Sequence, residues 1–369
     1  MPSVLNKRNY VCLIALDLKK DFDCIRTDGC LQNKVNYYCQ NDQITNWIDS
    51  YFKDRQQFTN WGNFNSNKVK NHQISIIQGS KQGPDLFNLY INDLPKTTNL
   101  KTVLYADDSN FLCSNKNPVL LSKQVNEELI KIVDYYNSNG LSVSIDKTTF
   151  MIFTPINKKK IEIEIKIGNK VLEEKEEITF LGIIMDNKLK FSSHFKKVYD
   201  KIKKGLNGLT MVKNQLSFRA KLNVYYSLIN SHLEYCAIIW ISSITKKQLN
   251  MLKIVQKKAL RIIFSAKYNA HTNNLFETSK ITKVENIFEK VSLLMTFKFQ
   301  NKILPNAIID LFENSLHDKN ILTRQQTSCV LRPKKDLKTG NLMYEIIDAW
   351  NRIGSPARDE KTLKSFKKR

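Results

Sequence analysis

The sequence predicts an α+β protein: a split βαβ-type sheet with its helices in the first half, followed by a mainly helical remainder. Three observations carry this. Tyr10–Leu18 is a continuous apolar run of strand length. Tyr105-Ala106-Asp107-Asp108 is a short polar turn between two apolar stretches, as in a β-hairpin. From about Phe191, apolar residues recur at three and four residue steps, the spacing of helices.

In chain order, Tyr10–Leu18 reads as a buried strand that ends in Asp17. A mostly helical segment reaches Phe52, where Trp47, Ile48, Tyr51 and Phe52 share helical spacing and read as core. Gln73–Ile77 reads as a strand into the glycine-bearing segment Gln78–Gly83. Pro84 suits the first turn of a helix, where its missing N–H costs nothing. Phe87, Tyr90, Ile91 and Leu94 then form one apolar face, and Pro95 ends it. Leu121, Val125, Leu129, Ile132 and Val133 mark a helix over Val119–Tyr136, closed by Asn139-Gly140. Leu141–Ile145 and Thr149–Phe153 read as strands. Ile161, Ile163, Ile165 and Ile167 alternate with polar residues as a half-buried strand before a Gly168-Asn169 turn. Helices dominate to about Phe264, with Lys196, Lys197, Lys201, Lys203, Lys204, Lys213, Arg219 and Lys221 along them, and Val284–Phe299 is the clearest helix beyond.

The formal net charge of +23 suits a polyanionic partner, although it does not locate a groove. An apolar fraction of 42% over 369 residues permits more than one core. The seven cysteines lack a CxxC pair or zinc-like spacing and read as small hydrophobes in a reducing, intracellular setting, nuclear or cytoplasmic. No signal peptide is evident, and the apolar runs are too short to cross a bilayer, so no membrane partner is expected. His72, His194, His232, His271 and His317 are scattered without partners at ligand spacing. A Ser-His-Asp or Cys-His nucleophile is therefore not supported.

Carboxylates at strand ends carry the chemistry. Asp17 leaves one apolar strand, and Asp107 and Asp108 sit at a hairpin tip. Acids held at one rim by sheet suit divalent cations that grip phosphate oxygens during phosphoryl transfer. Gly79 and Gly83 lie between these acids and allow close approach of a bulky ligand.

The strings ALDLKKDFDCI (15–25), SYFKDRQQF (50–58), QGSKQGPDLFNLYINDLP (78–95), YADD (105–108), GLSVSIDKT (140–148) and FLGIIMD (180–186) resemble, in order and spacing, the reverse transcriptases of non-LTR retrotransposons, particularly the jockey-like group. YYSLINSHLEYCAIIW (225–240), LKIVQKKALRII (252–263), AHTNNLF (270–276) and AWNRI (349–353) resemble the segment that follows such domains. The resemblance implies a polymerase right-hand palm with partial fingers over 1–190, a helical thumb over 191–265 and a basic, partly helical region of unassigned role over 266–369. It implies an RNA-directed DNA polymerase that uses Mg²⁺, with Mn²⁺ as a substitute, an RNA template, a DNA primer and dNTPs. Asp17, Asp107 and Asp108 become the catalytic, metal-holding acids, and Leu18 adds its carbonyl. Phe22 becomes the gate beneath the incoming sugar, where a ring collides with a ribose 2′-OH; without the motif it reads as a core phenylalanine. Gln78 and Gly79 would contact the nucleotide. Lys147 would stand near the pyrophosphate, or be an ordinary exposed lysine. Arg55 and Tyr105 would meet template and primer.

The chain departs from that pattern at Asp21, Thr27, Ile77, Lys81, Gln82 and Asp85, where the family has a small residue, a histidine, a proline and apolar positions. It also begins almost at the first catalytic strand, so fingers and endonuclease segments are expected to be missing and the isolated chain weak or inactive. The alternative is a catalytically silent retroelement remnant that binds nucleic acid.

Overall fold

The apolar run that opens the chain is the middle of a sheet. The structure, a computed structural model, describes residues 9–19, 24–27, 29–54, 56–70, 76, 79–155, 158–159, 161–316, 330–334, 341–358, 360 and 362–366. Two units emerge, one through Ile178 and one from Thr179.

In the first unit, β1 (Tyr10–Leu16) breaks at Asp17 before the short β2 (Leu18–Lys19). Helices α1 (Cys30–Cys39) and α2 (Asp42–Phe52) follow, and Asn41 Oδ1 caps α2 by accepting from the Gln43 and Ile44 N–H groups. Strands β3 (Gln56–Gln57), β4 (Asn60–Trp61), β5 (Phe64–Asn65) and β6 (Val69–Lys70) fold back as an arm, β3 pairing with β6 and β4 with β5. Helix α3 (Gly83–Ile91) holds Pro84 in its first turn, as predicted. It stops at Ile91, and Pro95 lies in a separate 3₁₀ turn, Leu94–Lys96, rather than ending the helix itself. Next come β7 (Lys101–Tyr105), β8 (Asp108–Asn115) and α4 (Pro118–Ser138), which Asn117 caps and Gly140 (φ 73°) closes. The strands β9 (Ser142–Val143), β10 (Thr149–Phe153), β11 (Lys166–Ile167), β12 (Lys170–Val171) and β13 (Glu173–Glu174) complete the unit.

The main sheet has the order β13-β10-β1-β8-β7. β1 is antiparallel to both neighbours, with Leu13 opposite Met151 and Leu112, and only β10–β13 is parallel. A central strand covered on both faces needs an apolar residue at every step. Tyr10, Val11, Cys12, Leu13, Ile14 and Leu16 are all buried. Leu121, Val125, Leu129 and Ile132 of α4 join the same core with Phe87, Tyr90 and Ile91 of α3. At about 25 cal/mol per Å², each such side chain contributes roughly 1.5–3 kcal/mol by burial. Lys34 Nζ ties α1 to this core by donating to Tyr90 O (2.6 Å), Asp93 Oδ1 (2.8 Å) and Tyr135 OH (3.1 Å). Burial alone would raise the Asp93 carboxyl, but the hydrogen bonds from Lys34 and Tyr135 outweigh it and hold it low.

Three expectations need correction. The isoleucine alternation is real in burial, yet only Lys166–Ile167 pairs as a strand. Side chains of α4 replace the ladder upstream: Ser122 and Asn126 donate to Glu164 O, and Asn126 accepts from Lys166 N–H. Leu141–Ile145 shortens to β9: Ser144 N–H still donates in register to Asp17 O, but a turn begins there, with Ser144 O accepting from the Lys147 and Thr148 N–H groups. Trp47 is exposed; it stacks on Tyr51 at 6.0 Å, and only Ile48 of its set is buried. Of the strand expected over Gln73–Ile77, every position except Ile76 lies outside the described residues.

The second unit starts with a hairpin, β14 (Glu177–Phe180), whose first residues precede the boundary, and β15 (Ile183–Asp186). Asp186 accepts from the Lys188, Lys190 and Phe191 N–H groups and so launches α5 (Ser192–Met211). Then follow α6 (Phe218–Tyr225), a π-helical turn at Tyr226–Asn230, α7 (Ser231–Glu234), α8 (Ala237–Trp240) and α9 (Lys246–Ile263). Helices α10 (Asn273–Ser279), α11 (Val284–Gln300), α12 (Asn306–Ser315) and α13 (Leu342–Arg352) follow, then two short helical turns at Ser355–Arg358 and Leu363–Phe366. Phe276, Val284 and Ile287 share one core with Ile202, Tyr225, Trp240 and Leu260. Among the described residues, no helix is long and apolar enough to cross a membrane.

Candidate active site

Strand register brings the acids together. Leu16 pairs with Ser109, so one further antiparallel step sets Asp17 opposite Asp108. Tyr105 pairs with Asp108 across the two-residue turn Ala106-Asp107. Ala106 has φ 49°, a left-handed conformation that such turns normally give to glycine. Strain of this kind is tolerated when the surroundings enforce it. Here the hairpin base is pinned by Ser109, fully buried, whose Oγ lies 2.7 Å from Tyr136 OH of α4.

Asp17 is gripped by its backbone. Ser144 N–H donates to Asp17 O at 2.8 Å, and Asp17 N–H donates to Thr148 Oγ1 at 3.3 Å. Thr148 Oγ1 in turn donates to Ser144 O at 2.8 Å. Leu18 is buried in β2 against Val143. The turn between β9 and β10 therefore positions the carboxylate that β1 delivers. Neither Ser144 nor Thr148 stood out in the sequence as a site residue, although both lie inside the GLSVSIDKT string.

The acids feel one another. Burial, then Asp107, then Asp17 push the Asp108 carboxyl above its usual value. Lys147 Nζ stands 3.9 Å from Asp17 Oδ1, with both groups well exposed, so the pair itself adds little stability. Asp146 instead turns to Lys170, which holds its carboxyl below the usual value. Tyr105 is exposed beside the turn. Gly79, at φ 80°, opens the approach to α3, and a Cβ there would meet nothing within 4 Å. Phe22, Gln78 and Arg55 lie outside the described residues.

Among the described residues, no group of three or more His, Cys, Asp or Glu stands at metal-holding spacing. The donor chemistry still fits a hard cation. Mg²⁺ ordinarily takes one or two carboxylates and completes its shell with water and substrate phosphate. Converging negative charge that raises Asp108 is what such a cation would relieve.

Residues 2–185 match the family described as "Reverse transcriptase (RNA-dependent DNA polymerase)". Through that segment the chain belongs to the reverse transcriptase family. Its relatives include the RNA-directed DNA polymerase from mobile element jockey of Drosophila melanogaster, 22% identical over 78% of this chain and 32% of that protein. Another is the probable RNA-directed DNA polymerase from transposon BS, also of Drosophila melanogaster, 25% identical over 75% of this chain and 32% of that one. The match thus spans about a third of the relatives' length. Apo telomerase from Candida tropicalis aligns with a TM-score of 0.41 and 12% identity, over 76% of this chain and 44% of that chain, a likeness too low to argue from. Lys81 and Asp85 are exposed, so their charges carry no burial penalty.

Proposed function

We propose that the chain is an RNA-directed DNA polymerase of the non-LTR type, adding dNTPs to a primer 3′-OH on an RNA template. The observation that carries the reading is the arrival of Asp17 at the end of β1 opposite Asp108, with Asp107 in the adjoining turn. In the reaction the primer O3′ bonds to the α-phosphorus, the bond from that phosphorus to the bridging oxygen breaks, and pyrophosphate leaves. Asp17 and Asp107 would hold Mg²⁺, with Asp108 and the Leu18 carbonyl in support. Bound there, Mg²⁺ supplies charge neutralisation at the phosphate oxygens and activation of the 3′-OH.

The protein's own part is positioning. Ser144 and Thr148 fix the Asp17 backbone, and the Tyr136–Ser109 contact fixes the base of the hairpin. Lys147, already near Asp17, offers an ammonium to the departing pyrophosphate. By the resemblance, Phe22 would gate the sugar site against ribonucleotides, and Gln78 with Gly79 would contact the nucleotide and the templating base pair. The palm, thumb and C-terminal limits at 190 and 265 belong to the same proposal.

Primer extension on an RNA template with dNTPs or rNTPs, in Mg²⁺ or Mn²⁺, tests this. The expected result is weak extension, with dNTPs used in preference to rNTPs. Equal use of both would remove the gate role of Phe22. No extension under any condition would favour the second reading, a silent nucleic-acid-binding module, which the +23 charge supports. That module should bind RNA with an affinity that falls steeply with salt.

A further inference from the structure

The arm from Gln56 to Lys70 presents its aromatic rings to solvent. Trp61 and Phe64 are directly paired across β4 and β5 and are 82% and 80% exposed. Phe58, on the approach, is 51% exposed. Large rings this open have no packing role in the described fold. Gly62 (φ 58°) and Asn63 make the two-residue turn between them, a geometry that glycine accepts without strain. Positions directly opposite in an antiparallel pair project to one face, with Cβ atoms about 5 Å apart.

The sequence around the rings is one-sided. From residue 55 to residue 84 the chain carries Arg55, Lys68, Lys70 and Lys81 and no Asp or Glu. Asn60, Asn63, Asn65 and Asn67 surround the ring pair, and Asn60 Nδ2 donates to Asn65 Oδ1 across the strands at 2.8 Å. Exposed aromatic rings by themselves would equally suit a protein partner. Rings amid amides and lysines instead match what accepts unpaired bases and their phosphates: every base offers a π face, and cations track the backbone.

We propose that this arm is a binding surface for single-stranded nucleic acid, whose unpaired bases stack on Trp61 and Phe64 while Lys68 faces its phosphates. It deepens the polymerase reading by naming a surface for unpaired template, and it is tested by binding alone. Duplex bases are already stacked and paired, so the arm should discriminate strands by pairing state rather than by sequence.

Fluorescence anisotropy with a labelled oligouridylate and a labelled RNA hairpin duplex, measured for the whole chain, is the test. The W61A/F64A variant should bind oligouridylate about tenfold or more weakly and the duplex as the parent does. The W61F/F64Y variant, which keeps two rings, should bind both like the parent. Undiminished oligouridylate binding by W61A/F64A would overturn the proposal. So would equal loss on duplex and single strand by a W61A/F64A variant whose circular dichroism and melting temperature match the parent's. Absence of primer extension together with ring-dependent binding would sink the polymerase reading and leave the arm standing. Extension with ring-independent binding would do the reverse.

Discussion

Acid should weaken the second unit through His194. The residue is 3% exposed on α5, its ring meets Trp240 edge to face at 5.5 Å, and its Nδ1 accepts from the Ile184 N–H at 3.3 Å. Nε2 has no hydrogen-bond partner among the described residues. Burial, then the nearby Lys197 and Lys201 ammoniums, push the imidazole down from 6.5 to about 4. A base whose folded pKa is depressed binds fewer protons folded than unfolded. Its contribution is therefore complete above pH ~6.5, falls as pH drops toward ~4, and is lost below that. A shift of about 2.5 units corresponds to roughly 3 kcal/mol in full, of which about 2 kcal/mol is lost between pH 7 and pH 5. Urea unfolding followed by tryptophan fluorescence at those two pH values, for the parent and His194→Gln, reads this directly. The parent should lose about 2 kcal/mol more than the variant over that interval. Identical pH dependence in the two proteins would refute the reasoning, as would an NMR titration placing His194 near the ordinary histidine value.

Other changes separate packing from site geometry. At Gly205 on α5 a Cβ would sit 2.6 Å from the Leu228 carbonyl, so Gly205→Ala should lower the melting temperature, at a cost of about 1–3 kcal/mol less the gain in helix propensity. Gly208→Ala, where nothing lies within 4 Å, should raise it slightly. Thr148→Val removes the acceptor of the Asp17 N–H and the donor to Ser144 O; it should cost about 1–3 kcal/mol in chemical denaturation and slow extension more than it weakens template–primer binding. Asp107→Asn should lower the Asp108 pKa toward its usual value in a ¹³C carboxyl titration, and no movement would mean that the two acids are not electrostatically coupled.

Much of the site was readable because its signals are local. YADD marks a two-residue hairpin between apolar strands, and Pro84 with the Phe87, Tyr90 and Ile91 spacing marks a helix, since turn chemistry and period act over a few residues. The clamp on Asp17 was not readable, because Thr148 reaches it across 131 residues of chain. Trp47 was misread because helical spacing reports a shared face, not whether another element covers it. The isoleucines from 161 to 167 misled in another way: alternation set which side chains are buried, while Ser122 and Asn126 took the backbone groups that a partner strand would have used. Trp61 and Phe64 carried no periodic signal, and their exposure became visible only with the arm folded.

Single-turnover extension of an RNA-templated DNA primer, comparing the parent with Asp17→Asn and Asp107→Asn, tests the central claim most directly. Both variants should lose about 10³-fold or more in rate, the scale of roughly 4 kcal/mol of transition-state stabilisation, while binding the template–primer as the parent does. Extension by either variant at the parent's rate would contradict the assignment of these acids to the chemistry.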